Sequence, residues 1–405
     1  MSILSLPSTA DDVLLDELSA GDLFRLGRTC KTIYATVQDY ILRSFQINKL
    51  LGRYFTPEEV DHFRRLQATT GMIISGSTAL QFLNRVEYPG SDLDAYVVHA
   101  FRQEIAKWLL DVGYTYVPRR KHKTFEDDIL WEPEEEEYDD IMHSELMETG
   151  VGYLAAQCVF TFKKEDPPRK IQMITSLHSP LDRVLNFHST CVMNVITHDT
   201  AYAFFPKGTF DERRAIYCVN TIAHTAGAIE KYIQRGWDIN KYITRHEFDD
   251  PAFAFSRGLR HVGDAKCWKL PVLPKVAVDQ CQRPHGDIES NSWLMKYDRQ
   301  LQLKMSYCVL NSPRFLGAYL IDPDDEHFNR HLEVEIGERM IPGPDNSSED
   351  FEYLDDEFTS LLNWYRERHY KSDACYLSWP LKIEKVLHQE EETRIPPEIF
   401  AMPRR

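Results

Sequence analysis

Two aspartates, Asp92 and Asp94, stand one residue apart directly before the apolar residues 95–98. Side chains alternate between faces along a strand, so we expect both carboxylates to point the same way. Two adjacent carboxylates repel each other unless a cation or a proton lies between them. Oxygen ligands of this kind suit Mg²⁺, which keeps several waters and takes further ligands from substrate phosphates. The spacing therefore predicts a Mg²⁺ site at Asp92 and Asp94.

A turn that could bind a phosphate comes shortly before the two aspartates. The apolar residues 72–74 end at Gly76 and Ser77, and a helix-like segment follows over residues 78–85. Glycine lets the backbone approach a ligand closely. The free N–H groups and the dipole at a helix N-terminus favour a phosphate. Gly76 and Ser77 are therefore predicted to bind the phosphates of a ligand.

The order strand, Gly-Ser, helix, Asp-x-Asp resembles the nucleotidyltransferase superfamily, which includes DNA polymerase β, aminoglycoside nucleotidyltransferases and AbiEii-type toxins. The resemblance rests on Gly76-Ser77 and Asp92-Leu93-Asp94 and covers roughly residues 68–210. It implies that Gly76 and Ser77 grip a nucleoside triphosphate while Asp92 and Asp94 hold Mg²⁺. An acceptor hydroxyl would then attack the α-phosphate and release pyrophosphate. The alternative is an ordinary turn with two solvated acids at a strand end.

The third carboxylate of that superfamily comes from a later strand, and here its position is Gln172. The strand predicted over residues 169–175 follows another over residues 156–162, and the two are predicted to form a hairpin. A glutamine carbonyl can coordinate a metal, but it cannot act as a general base or neutralise a second metal. Three alternatives follow: catalysis with two carboxylates, a substitute acid such as Asp182 or one from residues 126–140, or a pseudoenzyme.

The N-terminal residues are predicted to be helical and resemble an F-box, a motif in subunits of cullin-RING ubiquitin ligases. The matching residues include Leu6, Pro7, Leu14 and Leu23. The resemblance implies that these four side chains bind the ligase's adaptor subunit. The alternative is a helical subdomain that only packs against the core.

A further resemblance is to fungal proteins of unassigned function that combine a nucleotidyltransferase-like region with an F-box-like N-terminus. It rests on Ile171-Gln172, residues 187–190 and 192–194, and Phe205-Pro206. It implies that the glutamine is a family trait and brings no known activity. His188 in this stretch could touch a phosphate or base of a nucleotide, or it could be a hydrogen-bonded structural histidine.

Composition bounds the class of protein. The chain has 405 residues, a net charge of -16 and no apolar run long enough to span a bilayer. The charge argues against an extended nucleic-acid surface. Eight scattered cysteines without a Cys-x-x-Cys pair argue against zinc sites and disulfides, and for buried thiols in a reducing compartment. We predict no membrane association and a cytoplasmic or nuclear location.

The predicted fold is α+β: a small mixed sheet of the nucleotidyltransferase type, preceded by a helical segment and followed by a helical and mixed region. The predicted boundaries are residues 1–67 for the F-box-like segment, 68–210 for the core with an acidic insert at 124–148, and 211–405 for the C-terminal region. Within these, residues 126–148 are predicted to be a flexible loop because like charges do not pack. Residues 211–222 are predicted to be a helix, which would carry Arg213.

Three functions fit this sequence. The first is a nucleotidyltransferase that uses Mg²⁺ and a nucleoside triphosphate. The second is a pseudoenzyme that keeps nucleotide binding, with Gln172 marking the lost chemistry. The third is a non-catalytic adaptor of a cullin-RING ligase, which is compatible with the second.

Overall fold

The computed structural model describes residues 8–118, 124–130, 158–218, 226–277, 286–341 and 353–369. Leu6, Pro7 and residues 131–148 of the acidic insert lie outside these ranges. Within them, the chain is a mixed α+β protein, as its sequence predicts. No helix of these ranges combines the length and the apolar character that a bilayer crossing requires.

The N-terminal part is helical, as predicted. Its helices are α1 (Ser8–Asp16), α2 (Ala20–Gly27), α3 (Lys31–Ser44), α4 (Ile47–Leu51) and α5 (Pro57–Thr70). Helix α5 begins at a capping box in which the Thr56 hydroxyl accepts from the Glu59 backbone and the Glu59 carboxylate accepts from the Thr56 backbone. It ends at Gly71, whose φ of 65° is the left-handed conformation that glycine adopts at low cost.

One sheet of eight strands, counted over the described ranges, forms the centre of the fold. Residues 68–210 supply seven of its strands, and the eighth comes from further along the chain. The strands are β1 (Ile73–Ile74), β2 (Leu93–Val98), β3 (Thr115–Val117), β4 (Val159–Lys164), β5 (Arg169–Ser176), β6 (Asn194–Ile196), β7 (Thr200–Ala203) and β11 (Trp268–Pro271).

The strand order across this sheet is β11-β7-β6-β1-β2-β5-β4-β3. Strands β2 and β5 are parallel, and every other pair is antiparallel. Strands β4 and β5 form the predicted hairpin. The parallel pairing brings the β5 residue Gln172 level with Asp94 of β2.

Short helices connect and cover these strands. They are α6 (Gly76–Asn84), α7 (Arg102–Asp111), α8 (Phe125–Ile129), α9 (Pro180–Leu185), α10 (Ala226–Gln234) and α11 (Arg245–Asp249). The C-terminal helices are α12 (Glu326–Leu332), α13 (Glu338–Met340) and α14 (Asp355–His369). Smaller sheets contain β8 (Arg214–Ile216), β9 (Asp238–Asn240), β10 (Gly258–His261), β12 (Ser292–Tyr297), β13 (Leu303–Ser306), β14 (Cys308–Leu310) and β15 (Tyr319–Ile321).

The two faces of the central sheet belong to different hydrophobic clusters. Leu93, Ala95 and Val97 of β2 pack into a cluster that also contains the buried side chains of α2 to α7. Tyr96 faces the opposite side, where α9 packs. Alternation along β2 therefore places the Asp92 and Asp94 side chains on the α9 side of the sheet.

Two secondary-structure expectations are wrong. Residues 214–216 form the strand β8, paired in parallel with β9, where a helix was expected. A short apolar run such as Ala215-Ile216 fits a strand as well as a helix, and pairing with β9 decides for the strand. Residues 125–129 form helix α8 rather than a loop. Its Thr124–Asp127 capping box and the buried Asp128, which accepts from the Tyr116 hydroxyl at 2.7 Å, stabilise it.

Arg64 joins α5 to the edge of the sheet that β7 and β11 form. Its side chain is fully buried and donates to the backbone carbonyls of His198, Val272 and Pro274. Burial lowers the pKa of Arg64 to about 10, so the guanidinium remains charged at neutral pH.

We expect Arg64→Ala to lower the free energy of unfolding by about 2–4 kcal/mol, because it leaves several buried carbonyls without a donor. The neighbouring Arg65 is exposed, so Arg65→Ala should change it by less than about 0.5 kcal/mol. Urea unfolding of the two variants checks this. Equal effects would show that the Arg64 contacts contribute nothing specific.

Candidate functional site

The turn between β1 and α6 is hydrogen-bonded to the Asp-x-Asp segment at both aspartates. The Ser75 N–H donates to the Asp94 carbonyl at 3.2 Å, and the Thr78 hydroxyl donates to the Asp92 carbonyl at 2.8 Å. A third bond, from the Ser75 hydroxyl to the Asn194 carbonyl at 2.6 Å, fixes the turn to β6. The two motifs recognised in the sequence are therefore parts of one site.

Gly76 lies against the Asp94 carboxylate. Its φ is +62°, and a Cβ at this position would lie 3.0 Å from Asp94 Oδ2. A side chain here would meet both an unfavourable backbone conformation and a close carboxylate. Glycine therefore lets the N-terminus of α6 approach Asp94.

The two aspartates have different surroundings. Asp92 Oδ2 accepts from Lys170 Nζ at 2.6 Å, and both side chains are partly exposed. The Asp94 side chain accepts no hydrogen bond from any residue in the described ranges. Burial, and then the charge of Asp92, raise the pKa of Asp94 to about 7. Lys170 and Lys231 lower it less. Asp94 is thus a partly buried carboxyl that lacks a partner.

The position of the expected third acid is beside Asp94, and it is Gln172. Neither the amide of Gln172 nor the hydroxyl of Ser77 makes a side-chain hydrogen bond within the described part of the chain. The carboxylate of Asp182, the other candidate acid, accepts from Tyr307 at 2.6 Å and from Asn186 at 3.2 Å. Among the described residues, no group of three histidine, cysteine or acidic side chains forms a metal site.

The donors at this strand end still fit one Mg²⁺. Asp92, Asp94 and the carbonyl of Gln172 are oxygen ligands, and Mg²⁺ needs only one or two protein carboxylates when waters and phosphates complete its shell. A cation beside Asp94 would also supply the partner that this carboxylate lacks.

Helix α10 supplies further groups near the site. The positive charge of Lys231 lowers the pKa of Asp94, so the two side chains interact. Lys231 forms no ion pair with a described residue. One turn further, the Arg235 guanidinium stacks on Tyr88 with 3.7 Å between its central carbon and the ring centroid. Arg235 follows the last residue of α10, so this second cation lies at the C-terminal end of the helix.

His188 is close to this helix, but it does not bring a charge to the site. Its ring lies 5.5 Å from that of Tyr232, and its Nδ1 is hydrogen-bonded to the Ser189 hydroxyl at 2.8 Å. Burial lowers the pKa of His188 to about 4, so the ring is neutral at pH 7. Contact with a nucleotide base remains a prediction.

Sequence reasoning missed Lys170 and Tyr96. Lys170 is two residues before Gln172, so strand alternation alone would have placed both on one face. Tyr96 is two residues after Asp94 and shares its face in the same way. It is buried, and its ring packs on that of Phe187 at 5.6 Å.

A cavity of about 1310 Å³ lies elsewhere in the molecule. Its lining includes Met72 and Ile73, at the beginning of β1, whereas Asp94 lies beside Ser75 at the other end. The lining contains neither aspartate of the site.

The candidate partner-binding residues of the N-terminal helices differ in how exposed their side chains are. Leu23 is fully buried, so it is not available to a partner in this structure. It fills the core between the N-terminal helices and the sheet. Leu14 is 45% exposed, and its neighbour Val13 is 67% exposed. Leu6 and Pro7 lie outside the described residues.

Comparisons of this chain with protein-family models, with curated proteins and with solved structures found no match.

The raised pKa of Asp94 predicts a dependence of stability on pH. An unfolded aspartate has a pKa of about 3.9, so between about pH 4 and pH 7 the unfolded chain has released a proton that the folded protein keeps. The unfolding free energy of the wild type therefore falls as the pH rises from about 4 to about 7, relative to a variant without that carboxyl.

We expect the gain in unfolding free energy from Asp94→Asn to be about 2–3 kcal/mol larger at pH 8 than at pH 5. Urea unfolding without added Mg²⁺ at both pH values measures it. The control is Asp111→Asn, which removes an exposed carboxylate at the end of α7. A gain that is the same at both pH values would show that Asp94 titrates normally.

Proposed function

We propose that this protein binds a Mg²⁺–nucleoside triphosphate at Asp92 and Asp94, with the phosphates at the N-terminus of α6. The observation that carries the proposal is the Asp94 carboxylate, which accepts no hydrogen bond from the described part of the chain and lies against Gly76. A helix N-terminus attracts anions, yet two carboxylates already lie beside it. A divalent cation shared between the carboxylates and a phosphate would reconcile these charges.

The groups around Asp94 support this proposal. The Ser77 hydroxyl and the first N–H groups of α6 can donate to phosphate oxygens. Lys231 has no ion-pair partner among the described residues and can face the triphosphate. Bound Mg²⁺ would supply charge neutralisation between the carboxylates and the phosphates, and Asp92, Asp94 and the Gln172 carbonyl are the residues that would hold it.

The same set of residues argues for binding without nucleotidyl transfer. Gln172 is uncharged and cannot take a proton from an acceptor hydroxyl. Lys170 already neutralises Asp92. The proposed function is therefore that of a nucleotide-binding pseudoenzyme with a nucleotidyltransferase-like site.

Calorimetry tests the proposal, with ATP, GTP, CTP and UTP titrated separately into the full chain with Mg²⁺ or with EDTA. We expect binding that requires Mg²⁺ and that weakens at least about tenfold in Asp92→Asn and in Asp94→Asn, since each removes a ligand charge. Asp111→Asn is the matched control and should bind as the wild type does. No Mg²⁺-dependent binding of any nucleotide would overturn the proposal.

A second candidate is the cullin-RING adaptor function, which the exposure of Val13 and Leu14 on α1 favours. Large contiguous exposed apolar patches mark interaction sites, and Val13 and Leu14 would belong to such a patch. The burial of Leu23 removes one of the four side chains on which the resemblance rests.

If α1 contacts the ligase's adaptor subunit, Val13→Glu with Leu14→Glu should abolish binding to that purified subunit. Val334 is 75% exposed, so Val334→Glu is a matched control that should leave binding intact. Surface plasmon resonance provides the measurement. If the wild type does not bind the purified subunit, the adaptor function is wrong.

A further inference from the structure

Lys170 stands where the charge of the site is decided. Its ammonium lies 2.6 Å from Asp92 Oδ2. It is two residues from Gln172 on β5, and the parallel register places Gln172 beside Asp94. Lys170, Gln172, Asp92 and Asp94 therefore form a square on one face of two neighbouring strands.

Two residues make this site less negative than a site with three carboxylates would be. An amide at position 172 removes one negative charge, and an ammonium at position 170 adds one positive charge. When both aspartates are ionised, the four side chains carry one net negative charge. The number of divalent ions that a site can hold depends on the negative charge around it, because each ion must be neutralised locally.

We infer that Lys170 is a built-in cation that takes the place of one divalent metal ion, so that the site holds a single Mg²⁺. This inference rests on the proposed function for its biological meaning. Its physical content concerns only the four side chains and a divalent ion. A fixed ammonium beside Asp92 repels a second divalent ion, and the neutral Gln172 cannot neutralise one.

The ion pair could instead be an ordinary exposed contact, since both side chains are partly accessible. Exposed pairs of this kind contribute little. The chain offers a matched control: Lys163 of β4 is the cross-strand partner of Lys170, is exposed, and makes no ion pair with a described residue. Lys163→Met and Lys170→Met remove the same charge from neighbouring strands.

Mn²⁺ is the probe, and the fall of its free-ion electron paramagnetic resonance signal on titration into the full chain without nucleotide is the measurement. We expect Lys170→Met to bind Mn²⁺ about tenfold more tightly than the wild type, because removing one adjacent positive charge has an effect of this order. Lys170→Arg keeps the charge and should resemble the wild type. Lys163→Met should also resemble it.

The double variant Lys170→Met with Gln172→Asp should bind two Mn²⁺ ions where the wild type binds one. Circular dichroism confirms that each variant is folded, and the conservative Lys170→Arg variant separates charge from packing. Equal Mn²⁺ affinities for Lys170→Met and Lys163→Met would overturn the inference. The inference would also be wrong if Lys170→Arg, which keeps the charge, bound Mn²⁺ as tightly as Lys170→Met does.

The two proposals fail in different ways. If no variant binds a nucleotide but Lys170→Met gains Mn²⁺ affinity, the proposed function is wrong and the role of Lys170 stands. If the wild type binds Mg²⁺–ATP but Lys170→Met gains no Mn²⁺ affinity, only the role of Lys170 is wrong.

Discussion

The site depends on the partly buried carboxylate of Asp94, to which no group of the described residues donates a hydrogen bond. Asp94 is kept in place by its own backbone, whose carbonyl accepts from Ser75, and by the close approach of Gly76. The free-energy cost of burying its negative charge raises the pKa of Asp94. Proteins keep such groups where a ligand compensates them, and structural ion-pair networks are the main alternative. Among the residues that the structure describes, the ion pair at this site joins Lys170 to Asp92 and leaves out Asp94, so that alternative does not account for Asp94.

The elements around Asp94 form a frame whose parts have separate roles. The bonds from Ser75 and Thr78 fix α6 relative to β2, and β5 presents Lys170 and Gln172 at a set register. Lys231 of α10 adds a positive charge that acts on Asp94. The parallel register of β2 and β5 sets the spacing of Asp94 and Gln172, whereas Lys231 of α10 is exposed.

Strand alternation and turn chemistry made the centre of this site readable from sequence. Asp92, Asp94, Gly76 and the hairpin that carries Gln172 are local patterns, so their positions follow from spacing. Lys170, the partner of Asp92, cannot be recognised from the sequence, because a lysine on a strand is usually solvated. Only the register of β5 with β2 places it beside Asp92. Strand β8 and helix α8 differ from the secondary structure that the sequence predicts for a similar reason. Pairing with β9 and the burial of Asp128 are tertiary facts that local composition does not carry.

The position of β11 has a consequence for how the chain is made. Strand β11 covers β7, all four residues of which are buried in the finished protein, yet it follows β7 by more than sixty positions in the sequence. During synthesis, the backbone groups along that side of β7 therefore remain open until Pro271 has left the ribosome. An open apolar strand edge is a template for pairing with other chains. In that interval a nascent chain of this protein exposes a strand edge that the finished protein covers, although its Asp92 and Asp94 segment is already complete.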